Sequence, residues 1–115
     1  MPGIGAIYIA IIYYKGLSGN SKPRPVLVLN DLGEGYYTIA EITSVPPKNP
    51  PSYFDDFKVP IAKWQECGLD EASFVKCNNN NIHNVEGIRL HQYIGSISPV
   101  DFNHIIDKIL TCNKK

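Results

Sequence analysis

The sequence predicts a small, mainly β domain: a strongly bent sheet or open barrel of about six short strands, with one C-terminal helix. Three observations favour this fold class. β-Branched and aromatic residues dominate several short segments, turn-forming residues separate them, and only the last segment has helical periodicity. With 115 residues, 43% of them hydrophobic and 19% charged, the whole chain 1–115 is expected to form a single domain with its own core.

The first half of the chain predicts a strand, a loop and a hairpin. Residues 4–14 (IGAIYIAIIYY) are apolar at both odd and even positions, so both faces of this strand are apolar, and it is expected to lie centrally or beneath a partner subunit. Residues 16–22 have the composition of a flexible loop. Residues 25–29 and 36–45 then read as two strands of a hairpin around a turn at 30–35.

The second half predicts shorter elements. Proline at four of the six positions 46–51 excludes a strand there and indicates a loop of polyproline character. The expected elements after it are a strand at 53–61, a helical turn at 63–67 ended by Gly68, a strand at 72–77, a four-asparagine turn at 78–81 and a last strand at 89–97.

The C-terminal segment predicts an amphipathic helix. Ser98 is the expected N-cap, Pro99 occupies the first helical position, and Asp101 suits the positive end of the helix dipole. The apolar residues that follow have the spacing of one helical face, which should dock on the sheet: Phe102, Ile105, Ile106, Ile109 and Leu110.

Charge and cysteine content exclude several classes of protein. The 11 basic and 11 acidic residues cancel, which argues against a protein that coats nucleic acid through bulk positive charge. Cys67, Cys77 and Cys112 cannot all pair and lack metal-ligand spacing, so we expect a reducing compartment, the cytoplasm. Residues 4–14 are too short for a membrane span of roughly 20 residues and lack the flanks of a signal peptide, so no membrane association is expected.

One basic segment is the strongest candidate for a functional site. Arg24 lies between Pro23 and Pro25, and the following proline holds Arg24 in an extended conformation. Residues 1–30 contain Lys15, Lys22 and Arg24 and no acidic residue. An arginine at a strand start is often merely solvated, and this segment alone does not distinguish that reading from a functional one.

Hairpin geometry adds a second observation. A turn centred near Gly33 places Arg24 opposite Ile42 or Thr43, and cross-strand neighbours have Cβ atoms about 5 Å apart. Lys22 and Ser44 would then lie close by. An arginine fork, a lysine and one or two hydroxyls suit a phosphodiester, because arginine can bind two phosphate oxygens and stabilise charge that develops in a transition state.

Other side chains allow weaker hypotheses. His83, His91 and His104 invite a two-histidine acid–base ribonuclease, although nothing in the pattern brings two of them together. Cys67, at a helix end, is disfavoured as a nucleophile because the dipole there raises a thiol pKa. No metal site is expected, since the adjacent Asp55 and Asp56 would point to opposite faces of a strand.

The chain resembles the MazF/PemK toxins of bacterial toxin–antitoxin systems. The resemblance begins with a strand and a Gly/Ser loop, continues with Lys22-Pro23-Arg24-Pro25-Val26-Leu27-Val28-Leu29 and then Ile42-Thr43-Ser44, and extends through Trp64, Gly68-Leu69, Ser73-Phe74-Val75 and Ile94-Gly95-Ser96-Ile97-Ser98. It spans about residues 3–110.

This resemblance implies a fold, an activity and partners. The fold would be a small SH3-like barrel of the MazF/CcdB type, usually a homodimer. The activity would be sequence-specific cleavage of single-stranded RNA without a metal or other cofactor. The family's catalytic pair maps onto Arg24 and Thr43: Arg24 would stabilise the phosphorane and is a candidate proton donor, and Thr43 would position the phosphate or the attacking hydroxyl. An antitoxin would bind the same cleft through an extended acidic segment.

Four further residues are candidate contacts to the substrate. Lys22 and Ser44 flank the catalytic pair, Ser18 belongs to a loop expected to close over RNA, and Asn79 belongs to an asparagine run near a base-contacting region in relatives.

Two alternative functions share this fold. Relatives that poison DNA gyrase act through the terminal helix and dimer face, lack the arginine–threonine pair and usually carry a tryptophan on that helix; here Trp64 is internal. A catalytically inactive member that only binds antitoxin is the other alternative.

Overall fold

Seven strands, three 3₁₀ turns and one helix form the part of the chain that the computed structural model describes, residues 3–13, 21–48, 50 and 56–112. The strands are β1 (Ala6–Tyr13), β2 (Ser21–Gly33), β3 (Tyr36–Thr43), β4 (Lys58–Pro60), β5 (Phe74–Lys76), β6 (Ile82–Glu86) and β7 (Leu90–Ser96). The 3₁₀ turns are Trp64–Cys67, Asn79–Asn81 and Gly87–Arg89, and the helix α1 is Pro99–Cys112.

The strands form one antiparallel sheet in the order β4-β5-β3-β2-β1-β7, with β6 also paired to β3. The mainly β fold class with a C-terminal helix is therefore confirmed. Within the described residues the end strands β4 and β7 do not pair with each other, so the sheet is open rather than a closed barrel. No helix among the described residues is long and apolar enough to cross a membrane.

The central hairpin has the predicted register but a longer first strand. Val26 pairs with Glu41 and Val28 with Ile39. β2 begins at Ser21 and ends at Gly33, beyond the predicted 25–29 at both ends. Two register shifts after Val28 carry β2 through most of the predicted turn. The chain reverses at Glu34 and Gly35, where φ is positive at both residues.

The outer edge of β3 is divided between two partners. β6 pairs with Tyr36–Ala40, and β5 pairs with Ile42 and Thr43. The sequence prediction missed β6, because its alternation of apolar and polar residues is short, and the strand is partly exposed and directly follows the asparagine turn. The change of partner falls at Glu41, which is 2% exposed.

Apolar side chains on the two faces of the sheet form two clusters. One contains Leu27, Ile42 and Ile105, and α1 and Trp64 pack against it. The other contains Val26, Val28 and Ile39 and lies on the opposite face of the same strands. The sheet therefore buries both faces around β2 and β3.

The start of α1 is fixed to the loop before Trp64. The Asp101 N–H donates to Ser98 Oγ at 3.2 Å, which confirms the predicted N-cap. Asp101 is 3% exposed, and its carboxylate accepts hydrogen bonds from the backbone N–H groups of Ala62 (3.2 Å) and Lys63 (3.1 Å). The predicted apolar face is correct for Ile105, which is buried, and wrong for Leu110, which is 66% exposed because α1 docks along a narrower stripe.

Candidate functional site

A cleft of about 430 Å³ lies where the start of β2 and the end of β3 meet the loop after the Trp64–Cys67 turn. β2 contributes Pro23, Arg24 and Pro25, and β3 with its following residues contributes 42–45. Residues 68–71 and Ser73 line the cleft from the other direction, together with Ile9 and Ile94. Its volume lies in the range typical of ligand sites, so we take this cleft as the candidate functional site.

Arg24 is held in the interior of a ladder rather than at a free strand end. It pairs with Ala10 of β1, and Pro23 and Pro25 pair with Ile11 and Ile9 on either side of it. The prolines fix φ near −65° at the two flanking positions, which limits the freedom of the backbone that carries the side chain. The Arg24 side chain is half-buried and its Nε atom is shielded from solvent.

Thr43 lies at the same end of the sheet. It pairs with Phe74 of β5, and the β2–β3 register, continued two residues beyond the Val26–Glu41 pair, places it across from Arg24. This is one of the two registers that the sequence predicts. Thr43 is 8% exposed, and its Oγ1 accepts a hydrogen bond from the Val45 N–H at 3.1 Å. That bond orients the hydroxyl and leaves its O–H to donate to another group.

Ser44 and Val45 continue this wall of the cleft and are exposed. Lys58, at the start of β4, donates from Nζ to the Val45 carbonyl oxygen at 3.1 Å. Lys58 therefore adds a cation next to the cleft that sequence reasoning missed. The local sequence does not indicate that Lys58 lies near the cleft, because β4 and the end of β3 are brought together only through β5.

The opposite wall carries two carboxylates, which the sequence analysis did not place here. Asp70 and Glu71 line the cleft and are exposed. Ser73, which is buried, donates from its hydroxyl to the Glu71 carbonyl oxygen at 2.9 Å and so fixes that wall to β5. The expected basic end of the molecule therefore also has two acidic residues, Asp70 and Glu71, which form an acidic rim of the cleft.

The other predicted site residues lie elsewhere. Asn79 is exposed in its 3₁₀ turn and does not line this cleft. Ser18 and the side chain of Lys22 lie outside the described part of the chain. His91 and His104 are exposed, whereas the His83 Nε2 lies 2.7 Å from a carboxylate oxygen of Glu41.

Cys67 and Cys77 have the properties of buried structural thiols. Burial is the main cause that raises the Cys67 pKa, with a smaller effect of the nearby Asp101 carboxylate. Burial also raises the pKa of Cys77 to about 12. In residues 3–13, 21–48, 50 and 56–112, no three His, Cys, Asp or Glu side chains converge as a metal site would require.

Solved structures of bacterial toxins have the same fold. The Mycobacterium tuberculosis toxin MazF-mt6 superposes with a TM-score of 0.66 at 23% identity, covering 91% of this chain and 92% of that one. An endoribonuclease from a mycobacterial species gives a TM-score of 0.68 at 16% identity, covering 96% and 88%. A MazE–MazF complex from Deinococcus radiodurans gives 0.69 at 14% identity, covering 96% and 93%. No curated protein sequence matches this chain significantly.

The family assignment rests on the sequence match rather than on these distant structures. A family profile described as "PemK-like, MazF-like toxin of type II toxin-antitoxin system" matches residues 5–112, which is nearly the whole chain. The match includes both walls of the cleft and all seven strands. The chain therefore belongs to the PemK/MazF-like toxin family of type II toxin–antitoxin systems.

Proposed function

We propose that this protein is a metal-independent, sequence-specific endoribonuclease toxin that cleaves single-stranded RNA. The observation that carries the proposal is that Arg24 and Thr43, nineteen residues apart in sequence, line one cleft at the same end of the sheet. A fixed guanidinium beside an oriented hydroxyl is a suitable site for a phosphodiester. The family match and the endoribonuclease among the structural neighbours support this activity.

The proposed reaction is the one that the resemblance to MazF/PemK toxins implies. The ribose 2′-hydroxyl attacks the adjacent phosphorus and gives up its proton, and the bond to the 5′-oxygen breaks as that oxygen gains a proton. The products are a 2′,3′-cyclic phosphate and a 5′-hydroxyl. Arg24 stabilises the extra negative charge of the pentacovalent phosphorane, and Thr43 donates its O–H to a phosphate oxygen and fixes the reacting geometry.

The acidic rim suggests how RNA enters this cleft. Asp70 and Glu71 repel phosphates, so the backbone is expected to follow the Arg24 wall, with Ser44 and Lys22 as further contacts. Asn79 and Ser18, which the cleft geometry does not include, remain proposed contacts to more distant nucleotides.

The proposed partners are a second copy of the chain and an antitoxin. The structural neighbours include a mycobacterial endoribonuclease in complex with its cognate antitoxin and two crystal forms of a MazE–MazF complex from Deinococcus radiodurans. We propose that an extended acidic segment of an antitoxin occupies the same cleft, since a carboxylate pairs with Arg24 as a phosphate does. We further propose a homodimer, which sedimentation at micromolar concentration would detect.

The test is end-mapping of a long RNA incubated with the purified protein in EDTA. The proposal predicts cuts at one short sequence motif, with a cyclic phosphate upstream and a 5′-hydroxyl downstream. Intact RNA under these conditions, with or without added Mg²⁺, would contradict the endoribonuclease proposal. A DNA supercoiling assay with gyrase, run on the same preparation, would then test the gyrase-poisoning alternative.

A further inference from the structure

A buried carboxylate lies on the sheet face shared by Arg24 and Thr43. Glu41 is 2% exposed and occupies the position where the edge of β3 passes from β6 to β5. Its Oε2 accepts a hydrogen bond from Asn81 Nδ2 at 3.0 Å and lies 2.7 Å from His83 Nε2. Both contacts use the same oxygen, so the carboxylate has a fixed orientation.

The cost of burying Glu41 calls for a balancing positive charge. A buried ionised carboxylate is expensive unless it is both hydrogen-bonded and paired with a cation. His83 supplies a positive charge only when it is protonated, and Asn81 supplies none. Arg24 carries a cationic side chain on the same face.

The strand register places Arg24 and Glu41 on neighbouring strands and on the same face of the sheet. Glu41 pairs with Val26, and Arg24 lies two residues before Val26 on β2, so the two side chains project from the same face as diagonal neighbours. Diagonal neighbours in an antiparallel pair are about 7–8 Å apart at the backbone, within reach of long side chains. The Arg24 Nε is shielded from solvent and makes no hydrogen bond, so the Nη groups are the ones available to a carboxylate.

We propose that Glu41 is a positioning residue that holds the Arg24 guanidinium in its orientation toward the cleft. Asn81 and His83 fix Glu41, and Glu41 in turn fixes one edge of the guanidinium and leaves the other to face phosphate oxygens. The effect on catalysis rests on the proposed RNA cleavage, whereas the pairing of Glu41 with Arg24 is a property of the free protein.

The first experiment measures the pairing without substrate. The chain has two arginines, Arg24 and Arg89, so the guanidinium Nη–H signals in a ¹⁵N spectrum are few, and Arg24→Lys identifies those of Arg24. In Glu41→Gln, which is nearly isosteric, the Arg24 Nη–H signals should shift and exchange with water at least about tenfold faster. The matched control is Glu86→Gln, an exposed change on β6 that should leave the signals in place.

Two results would overturn the pairing. One is a set of Arg24 Nη–H signals unchanged in both position and exchange rate in Glu41→Gln. The other is a shift that occurs in Asp70→Asn or Glu71→Gln instead, which would assign the partner of Arg24 to the acidic rim of the cleft. If Glu41→Gln does not fold, Glu41→Asp keeps the charge, retracts it by one methylene group and should show a change in the same direction.

The second experiment measures the consequence for cleavage. Glu41→Gln should lower kcat by about 10–100-fold and change KM by less than about threefold, since a misaligned guanidinium weakens chemistry more than binding. If the wild type cleaves RNA and a folded Glu41→Gln variant has an undiminished kcat, the positioning role is refuted and the endoribonuclease proposal stands. If the wild type itself does not cleave RNA, the endoribonuclease proposal fails and the spectroscopic result alone decides the pairing.

Discussion

The backbone of Gly95 in β7 lies against the carbonyl oxygen of Cys67, so closely that a Cβ at position 95 would overlap that oxygen. The contact is reciprocal one residue away, because a Cβ at Gly68 would lie 2.7 Å from the Ile94 carbonyl oxygen. Gly68 also has a positive φ of 82°, which ends the Trp64–Cys67 turn. These two glycines therefore set the position of the wall that carries residues 68–71 of the cleft.

Gly95→Ala should displace that wall. The added methyl group has no room against backbone atoms, and overpacking of this kind costs about 1–3 kcal/mol in the free energy of unfolding. Denaturant unfolding would measure the loss, with Gly3→Ala as the control, since a Cβ at Gly3 meets nothing within 4 Å. Equal stability of the two variants would contradict the close approach of β7 to this turn.

Asp101→Asn should destabilise the fold through the start of α1. The two carboxylate oxygens each accept a hydrogen bond from a backbone N–H, one from Ala62 and one from Lys63. In asparagine an NH₂ group replaces one of these oxygens, and it cannot accept a hydrogen bond from the N–H that it would face. The expected loss is about 1.5–3 kcal/mol, the range for hydrogen bonds to a charged group. Asp107→Asn, an exposed change on the same helix, should stay within about 0.5 kcal/mol of the wild type in thermal or urea unfolding.

Cys77 should make stability fall at alkaline pH. Its pKa rises from near 9 in the unfolded chain to about 12 in the folded protein, so between these values the unfolded state has lost a proton that the folded state keeps. The contribution of this thiol to stability is complete below pH 9 and is lost as the pH rises toward 12, at up to about 1.4 kcal/mol per pH unit. Cys77→Ala should lower stability at every pH but reduce this slope, and an unchanged slope would show that Cys77 does not carry it.

Thr43→Val should remove cleavage activity while keeping the shape of the side chain. The Val45 N–H loses its acceptor, which costs about 1 kcal/mol of stability. The larger effect is on kcat, which should fall at least about tenfold because the donor to the phosphate is gone. Thr43→Ser is the matched control, since it restores the hydroxyl and should recover most of the activity; activity that persists in Thr43→Val and is lost in Thr43→Ser would indicate a packing role instead.

Local sequence chemistry was sufficient to predict the hairpin and the helix start. The turn residues and the two apolar strands determine the register that brings Arg24 to the level of Thr43, and Ser98 with Pro99 marks the start of α1. These features depend on residues close in sequence. The same reasoning underestimated β2, because its last residues are polar and continue the strand only through irregular pairing with β3.

The remaining features depend on contacts between distant segments. Glu41 is part of a β-strand pattern that predicts an exposed side chain at its position, and it is buried because the Asn79–Asn81 turn and β6 bring Asn81 and His83 to it. The sequence predicts Asp101 only as a residue that suits the positive end of the helix dipole. In the structure its carboxylate also accepts hydrogen bonds from the backbone of residues 62 and 63, a contact with a distant segment. Asp70 and Glu71 reach the cleft only through the packing of β7 against the Trp64–Cys67 turn.

Arg24→Lys is the most direct test of the proposed site. Lysine keeps the positive charge and loses the planar fork that binds two phosphate oxygens, so the fold and the binding of RNA should persist while chemistry weakens. In EDTA, with one RNA that carries the mapped motif, the account predicts a fall in single-turnover cleavage rate of about 10²–10³-fold. A rate equal to that of the wild type in this variant would contradict the central role given to the Arg24 guanidinium.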